Sequence, residues 1–173
     1  MKLLNATLED FKNLQELSRE SYLQNFGSHW EKNGLDLYLE NEFGDKRLES
    51  DLRDPTIGYY FIVFKNQNVG FLKMNFRTSL RLSDLDNCEL EKIYILPKYK
   101  GLGLGKLAIK AIVCEIVSRN KKSLFLSVID TNTSAIAFYK KLGFIFHSKT
   151  RLEVPYFKEE LRGMHRMVLN LRS

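Results

Sequence analysis

Three features of this chain have residue types and spacings suited to chemistry on a charged or activated substrate. The first is Lys100-Gly101-Leu102-Gly103-Leu104-Gly105-Lys106, in which glycines recur at every second position. Without Cβ atoms in the way, successive backbone N–H groups can converge, and a helix starting there adds its positive dipole end. With Lys98, Lys100 and Lys106 around it, the segment reads as an anion cradle able to grip a pyrophosphate. The second feature is a pair of acids, Glu89 and Glu91, on the strand-like run that enters the cradle. Regular alternation projects both on one face, together with Ile93 and Ile95. The third is Tyr139, which shares a stripe at i, i+3, i+4, i+7 with Ala135, Phe138 and Leu142. Such a stripe faces the packed side of a helix, where a phenol hydroxyl needs a partner.

Spacing narrows the anion. A Walker A loop requires Gly-x-x-x-x-Gly-Lys-Ser/Thr, whereas here Lys100 stands at the first glycine's place and Leu107 follows Lys106. A dinucleotide fingerprint has two residues before its last glycine and follows an early strand; this G-x-G-x-G lies deep in the chain. A strand, Pro97 and Lys100-x-x-Gly103-x-Gly105 in that order resemble the coenzyme A pyrophosphate loop of the GCN5-related N-acetyltransferases. That loop reads Arg/Gln-x-x-Gly-x-Gly/Ala, so Lys100 departs from it while keeping the positive charge. Residues 132–144 are similar to a second family motif, Asn-x-x-Ala-x-x-Phe-Tyr-x-Lys-x-Gly-Phe. Every position matches, at Asn132, Ala135, Phe138, Tyr139, Lys141, Gly143 and Phe144.

The resemblance implies an α/β (α+β) fold in a single domain over residues 1–173, with a mixed, mostly antiparallel sheet and helices on both faces. It implies acetyl transfer from acetyl-CoA to a primary amine in a ternary complex, with coenzyme A as product and no metal. On this reading the backbone of Ile93, Tyr94 and Ile95 pairs with the pantetheine amides where the central strand parts from its neighbour. Lys100, Gly101, Leu102, Gly103, Leu104, Gly105 and Lys106 hold the pyrophosphate. Asn132, with Lys141 in the same motif, holds the pantetheine arm, and Tyr139 protonates the departing thiolate. A glutamate of the central strand serves as base, Glu91 ahead of Glu89. The competing reading makes both acids cross-strand ion-pair partners at the sheet surface.

The chemistry explains why a base is needed. A primary amine with a pKa near 10.4 is neutral only about once in a few thousand molecules at pH 7, so its proton must be accepted before or during attack. The same resemblance implies that backbone N–H groups near Ile95, where the strand parts from its neighbour, polarise the thioester carbonyl. Cys88, an alternative nucleophile, has no histidine near it in sequence. His29, His147 and His165 show no ligand spacing, so no metal is expected.

Several elements must position these groups. A first strand is expected at residues 2–4, and Thr7 with Asp10 resembles a capping box. The stripe Leu8, Phe11, Leu14, Leu17, Tyr22 marks the helix it opens. Residues 24–34 read as loop, with weaker helices at 35–41 and 46–53. Strand runs at 59–65 and 69–77 flank Asn66-Gln67-Asn68 as a hairpin, and 78–87 is a polar loop. After the central strand and the cradle, a helix runs to about residue 120. Residues 124–129 are apolar enough for a strand covered on both faces. A helix starting at Asn132 or Thr133 stops at Gly143, and strands at 144–150 and 165–171 close the chain.

The chain has 173 residues, 44% of them apolar, enough for a real core. No secretory leader or membrane span is visible, and two unpatterned cysteines fit a reducing cytoplasm. The net charge of +6 is unevenly spread. Residues 98–122 hold seven Lys/Arg against Glu115 alone, whereas residues 31–54 hold eight acids against four bases. A polyphosphate ligand accounts for the basic stretch, and without aromatic-basic interleaving no nucleic-acid partner is expected. The acidic stretch, with Asp84, Asp86, Glu89 and Glu91, points to a small-molecule amine such as spermidine or spermine. Several segments, 91–95 and 135–141 among them, are similar to bacterial polyamine acetyltransferases of the family. Protein amino groups, a drug-like amine, or a non-catalytic acyl-CoA sensor are the alternatives, and the oligomeric state, a homodimer included, is left open.

Overall fold

The computed structural model describes residues 1–31, 33–77 and 87–171; most of the expected 78–87 loop, with Asp84 and Asp86, lies outside these. The elements in order are β1 (Lys2–Asn5), α1 (Phe11–Phe26), α2 (Gly34–Phe43), α3 (Asp45–Arg53), β2 (Ile57–Phe64), β3 (Gln67–Asn75), β4 (Asn87–Ile95), α4 (Leu104–Ser118), β5 (Ser123–Ile129), α5 (Thr133–Lys141), β6 (Ile145–Arg151) and β7 (Gly163–Asn170). Thr7 and Asp10 form the expected capping box. The stretch expected as loop at 24–34 is more ordered than its polar composition suggests. There α1 continues to Phe26 and a 3-10 turn covers Gly27–His29.

All seven strands join one sheet in the order β1-β2-β3-β4-β5-β7-β6. Every neighbouring pair is antiparallel except β4 and β5. Strands β2 and β3 are buried on both faces, and their alternate residues feed two separate cores. Tyr60, Ile62, Leu72 and Met74 pack with Ile109, Ile112 and Ile116 of α4. Tyr59, Phe61 and Phe71 pack on the other face with Leu14, Leu17, Phe43 and Leu48 of α1, α2 and α3. Helix α5 lies on the α4 side, where Ala135, Phe138, Tyr139 and Leu142 meet the core. The expected mixed sheet with helices on both faces is the one observed.

The parallel pair matters most. Strands β4 and β5 are in register only at Asn87–Ser123, Cys88–Leu124 and Glu89–Phe125. Beyond Glu89 the two diverge, so the upper half of β4 has no partner on that side. On its other side β4 stays bonded to β3 as far as Ile95, and Leu96 N–H continues the pattern to the Val69 carbonyl at 2.9 Å. Alternation therefore turns the backbone groups of Ile93 and Ile95 toward the gap.

Candidate active site

The pairing of β3 with β4 shifts by one residue, from Lys73–Lys92 to Met74–Leu90, leaving Glu91 as a β-bulge. A bulge inverts the alternation of side chains beyond it. Cys88 and Leu90, and past the bulge Ile93 and Ile95, all face α4. The expected sharing of one face by Glu89, Glu91, Ile93 and Ile95 is thereby corrected, because it assumed an unbroken period of two. Tyr94 belongs to the α1–α3 face. Lys92 and Glu91 reach the same face, where they meet Glu42 of α2 and the Lys73–Asp51 pair.

The two acids have different surroundings. Glu91 is tied by both oxygens, accepting from Asn75 Nδ2 at 3.1 Å and pairing with Lys73 Nζ at 2.8 Å. Lys73 is fully buried and also lies 2.7 Å from Asp51 of α3. Asp51 in turn accepts from the Tyr59 hydroxyl at 2.9 Å and pairs with Arg47 at 3.3 Å. A buried ammonium is tolerated only with such compensation. Glu89 is freer. Burial first, and then the neighbouring Glu91 charge, push its carboxyl up to about 6, with Arg166, Lys92 and Lys73 pulling the other way. A buried carboxylate that titrates near neutrality is suited to accepting a proton.

Residues 29–31 and 156–158 roof this face. Glu31 N–H donates to the Tyr156 carbonyl at 2.9 Å, Lys158 N–H donates to the His29 carbonyl at 3.0 Å, and the Trp30 and Phe157 rings meet edge-on. Beneath lies an aromatic group in which Tyr22 contacts Phe26, Trp30, Tyr38 and Tyr94, with Phe26 against Tyr94 and Trp30 against Tyr38. Burial raises the Tyr94 phenol well above its usual range, with Tyr22, Tyr139, Glu42 and Glu91 adding to the effect. Asn25 joins α1 to the tip of β4, its Nδ2 donating to the Ser21 carbonyl at 2.7 Å and the Ile95 carbonyl at 3.1 Å.

Across the gap stands the glycine loop. Gly101 and Gly103 have φ of +78° and +73°, values that exclude most side chains, and a Cβ on either would point into open space. Lys100 N–H bonds back to Pro97, and Leu107 N–H bonds to Gly103. Among the described residues the six N–H groups between them, from Gly101 to Lys106, have no backbone acceptor. Lys98, Lys100 and Lys106 are exposed around them. Six free donors at the start of a 15-residue helix suit a polyphosphate. Gly105 serves differently, since a Cβ there would touch Phe138 of α5 at 3.4 Å.

Asn132 caps α5, its Oδ1 accepting from Ala135 N–H at 3.1 Å and Ser134 Oγ at 3.0 Å. That leaves its Nδ2 available to donate. Lys141 is exposed at the last turn of α5. Tyr139 packs edge-on against Phe138 and Phe144, and burial lifts its phenol to about 12. Burial pushes the Cys88 thiol up to about 12 as well, which leaves it protonated and a poor nucleophile.

Lys73, Asp51, Asn75, Asn25 and Arg166 escaped the reading of the chain. Lys73 alone carried a signal, a lysine inside the apolar run Phe71-Leu72-Lys73-Met74, where only a buried counter-charge permits it. Among the described residues no three His, Cys, Asp or Glu side chains converge, and no helix is long and apolar enough to cross a membrane.

Relatives are consistent with this geometry. The bS18-alanine N-acetyltransferase of Haemophilus influenzae is 28% identical over 137 residues, 78% of this chain and 75% of that one. The spermine/spermidine N(1)-acetyltransferase of Bacillus subtilis is 34% identical over a shorter 61 residues, 35% of this chain and 40% of that one. In three dimensions the PaiA N-acetyltransferase of Thermoplasma acidophilum, solved with coenzyme A, superposes with a TM-score of 0.76 at 16% identity, over 99% of this chain and all of that one. A sequence profile matches residues 11–144, from α1 through the glycine loop to the end of the α5 motif. With strand splay, glycine loop and paired motifs all in place, the chain belongs to the acetyltransferase (GNAT) family.

Proposed function

We propose that this protein transfers an acetyl group from acetyl-CoA to a small primary amine, with Glu89 as base and Tyr139 as acid. The observation that carries the reading is the gap between β4 and β5. It opens immediately past Glu89 and has the six-donor loop at its mouth. Acetyl-CoA, when bound, supplies an acetyl thioester. The N–H groups of Gly101 to Lys106 hold its pyrophosphate, and Asn132 Nδ2 with the Ile93 and Ile95 edge holds the pantetheine arm. The Ile95 N–H, fixed in direction by β3 and by Asn25, polarises the thioester carbonyl. Glu89 accepts the ammonium proton at its carboxylate through a chain of waters along the gap, since Ile95 lies six residues further along β4. Tyr139 keeps its proton at neutral pH and delivers it to the sulfur.

Glu91 ranks behind Glu89 because both of its oxygens are already occupied. Among acceptors, polyamines are supported by the Bacillus relative, and protein amino groups by the alanine-directed relative. The acidic 31–54 segment adds little to the polyamine reading. Glu40, Glu42, Glu49 and Asp51 are neutralised by Arg19, Lys92, Arg53 and Lys73 respectively. The test is release of free thiol from acetyl-CoA with spermidine, spermine, ω-amino acids, alanine-terminated peptides and aminoglycosides as acceptors. Amine-dependent release is expected; acetyl-CoA binding without any amine-dependent release would leave a sensor in place of an enzyme.

A further inference from the structure

Arg166 on β7 is paired in register with Ser127 of β5 on one side and Ser148 of β6 on the other. Its neighbour Met167 belongs to the α4-side core, whereas Met164, two places before Arg166, belongs to the α1–α3 side. Alternation therefore sets Arg166 on the same face as Glu89. Among the described residues its Nε is buried without a hydrogen-bond partner and its guanidinium forms no ion pair. Beside it Ser127 is exposed, although it lies between the buried Leu126 and Val128 in an inner strand, so this part of the face is open.

A desolvated guanidinium nitrogen without an acceptor is an anomaly in a folded protein, and an arriving ligand is one way to resolve it. Glu89 and Arg166 lie two strands and two residues apart, so their Cα atoms are separated by roughly 12 Å. Both side chains stand on the same face of the sheet, and the Arg166 charge is felt at the Glu89 carboxyl. An amine held at Glu89 thus extends a few ångströms toward a planar fork of donors that fits a carboxylate. A second ammonium placed there would meet a like charge.

We propose, on the acetyltransferase reading above, that Arg166 is the anion subsite of the acceptor cleft and that the preferred acceptor is a primary amine bearing a carboxylate. The exposed Ser127 hydroxyl, in register with Arg166 on β5, is placed to add a hydrogen bond to the carboxylate, whereas Ser148 Oγ on the other side is engaged by His147 Nδ1 at 3.2 Å.

The test uses matched acceptors that differ only in the carboxylate: 5-aminopentanoate against butylamine, 6-aminohexanoate against pentylamine, and lysine against cadaverine. Spermidine is run beside them, with thiol release from acetyl-CoA as the readout. In the wild-type protein the carboxylate member of at least one pair is expected to exceed its partner and spermidine in kcat/KM by on the order of 10- to 100-fold, the worth of a charge-assisted bond. In Arg166→Met that ratio collapses toward one, and Arg166→Lys restores part of it. Spermidine or the diamine matching or exceeding every carboxylate-bearing acceptor would overturn the proposal while leaving the acetyltransferase intact. So would a ratio that survives Arg166→Met in protein of normal melting temperature. Failure of all acceptors in protein that binds acetyl-CoA would remove the acetyltransferase reading, and this subsite with it.

Discussion

Lys73 of β3 lies 2.8 Å from Glu91 of β4, and the residue that carries this carboxylate is the one extruded from the ladder. Glu91 reaches back to two residues of the opposing strand, Lys73 and Asn75, which share a face two places apart. The ion pair therefore pins the bulge. Through the bulge it turns Ile93 and Ile95 toward α4 and Tyr94 toward α1.

Lys73→Met should be among the most damaging substitutions in the protein. It leaves Glu91 without a cation and Asp51 with Arg47 alone, at a cost of about 3–5 kcal/mol. Urea denaturation reads that loss. Pairing the change with Asp51→Asn should recover part of it, because far less charge is then stranded; strict additivity of the two would contradict the network.

Glu89→Gln should lower kcat by on the order of 10²- to 10⁴-fold. The wild-type kcat/KM should fall on the acid side with a midpoint near 6, and the variant should lose that limb. Stability moves the opposite way. With the Glu89 pKa raised from 4.5 to about 6, the folded chain binds more proton than the unfolded one between those values. Stability therefore falls as pH rises through that window and stays lowered above it, by up to about 2 kcal/mol. Removing the charge should make Glu89→Gln more stable than wild type at pH 8 and no more stable near pH 4, as read by thermal melts at both.

Tyr139→Phe should lower turnover by on the order of 10²-fold or more while acetyl-CoA affinity stays within a few-fold. Isothermal titration with acetyl-CoA separates the two effects. An unchanged kcat would take Tyr139 out of the proton transfer.

Gly103→Asp should abolish acetyl-CoA binding, because a carboxylate enters the ring of free N–H groups and the +73° φ is strained for any side chain. The added Cβ meets no neighbour, so folding should suffer only by about 1–2 kcal/mol. Normal affinity in this variant would refute the anion cradle.

Much of the fold was legible because its signals are local. The capping box at Thr7, the polar turn between β2 and β3, the glycines at 101 and 103 and the stop at Gly143 each depend on a few adjacent residues. The α5 motif placed Asn132 and Tyr139 correctly on their helix for the same reason. The acidic segment says less about the acceptor than its composition suggests, because composition counts charges without pairing them, and four of its acids have partners elsewhere in the fold or one helical turn away.

The chain by itself determined the glycine cradle, the helix that bears Tyr139 and the alternation of the strands, since φ preferences and hydrophobic periodicity act over a few residues. Tertiary structure alone decided which glutamate stands free, where β4 leaves β5, and that Arg166 shares a face of the sheet with Glu89. A bulge, an ion pair between strands and a strand order are relations across many residues, and their energies exist only once distant segments meet.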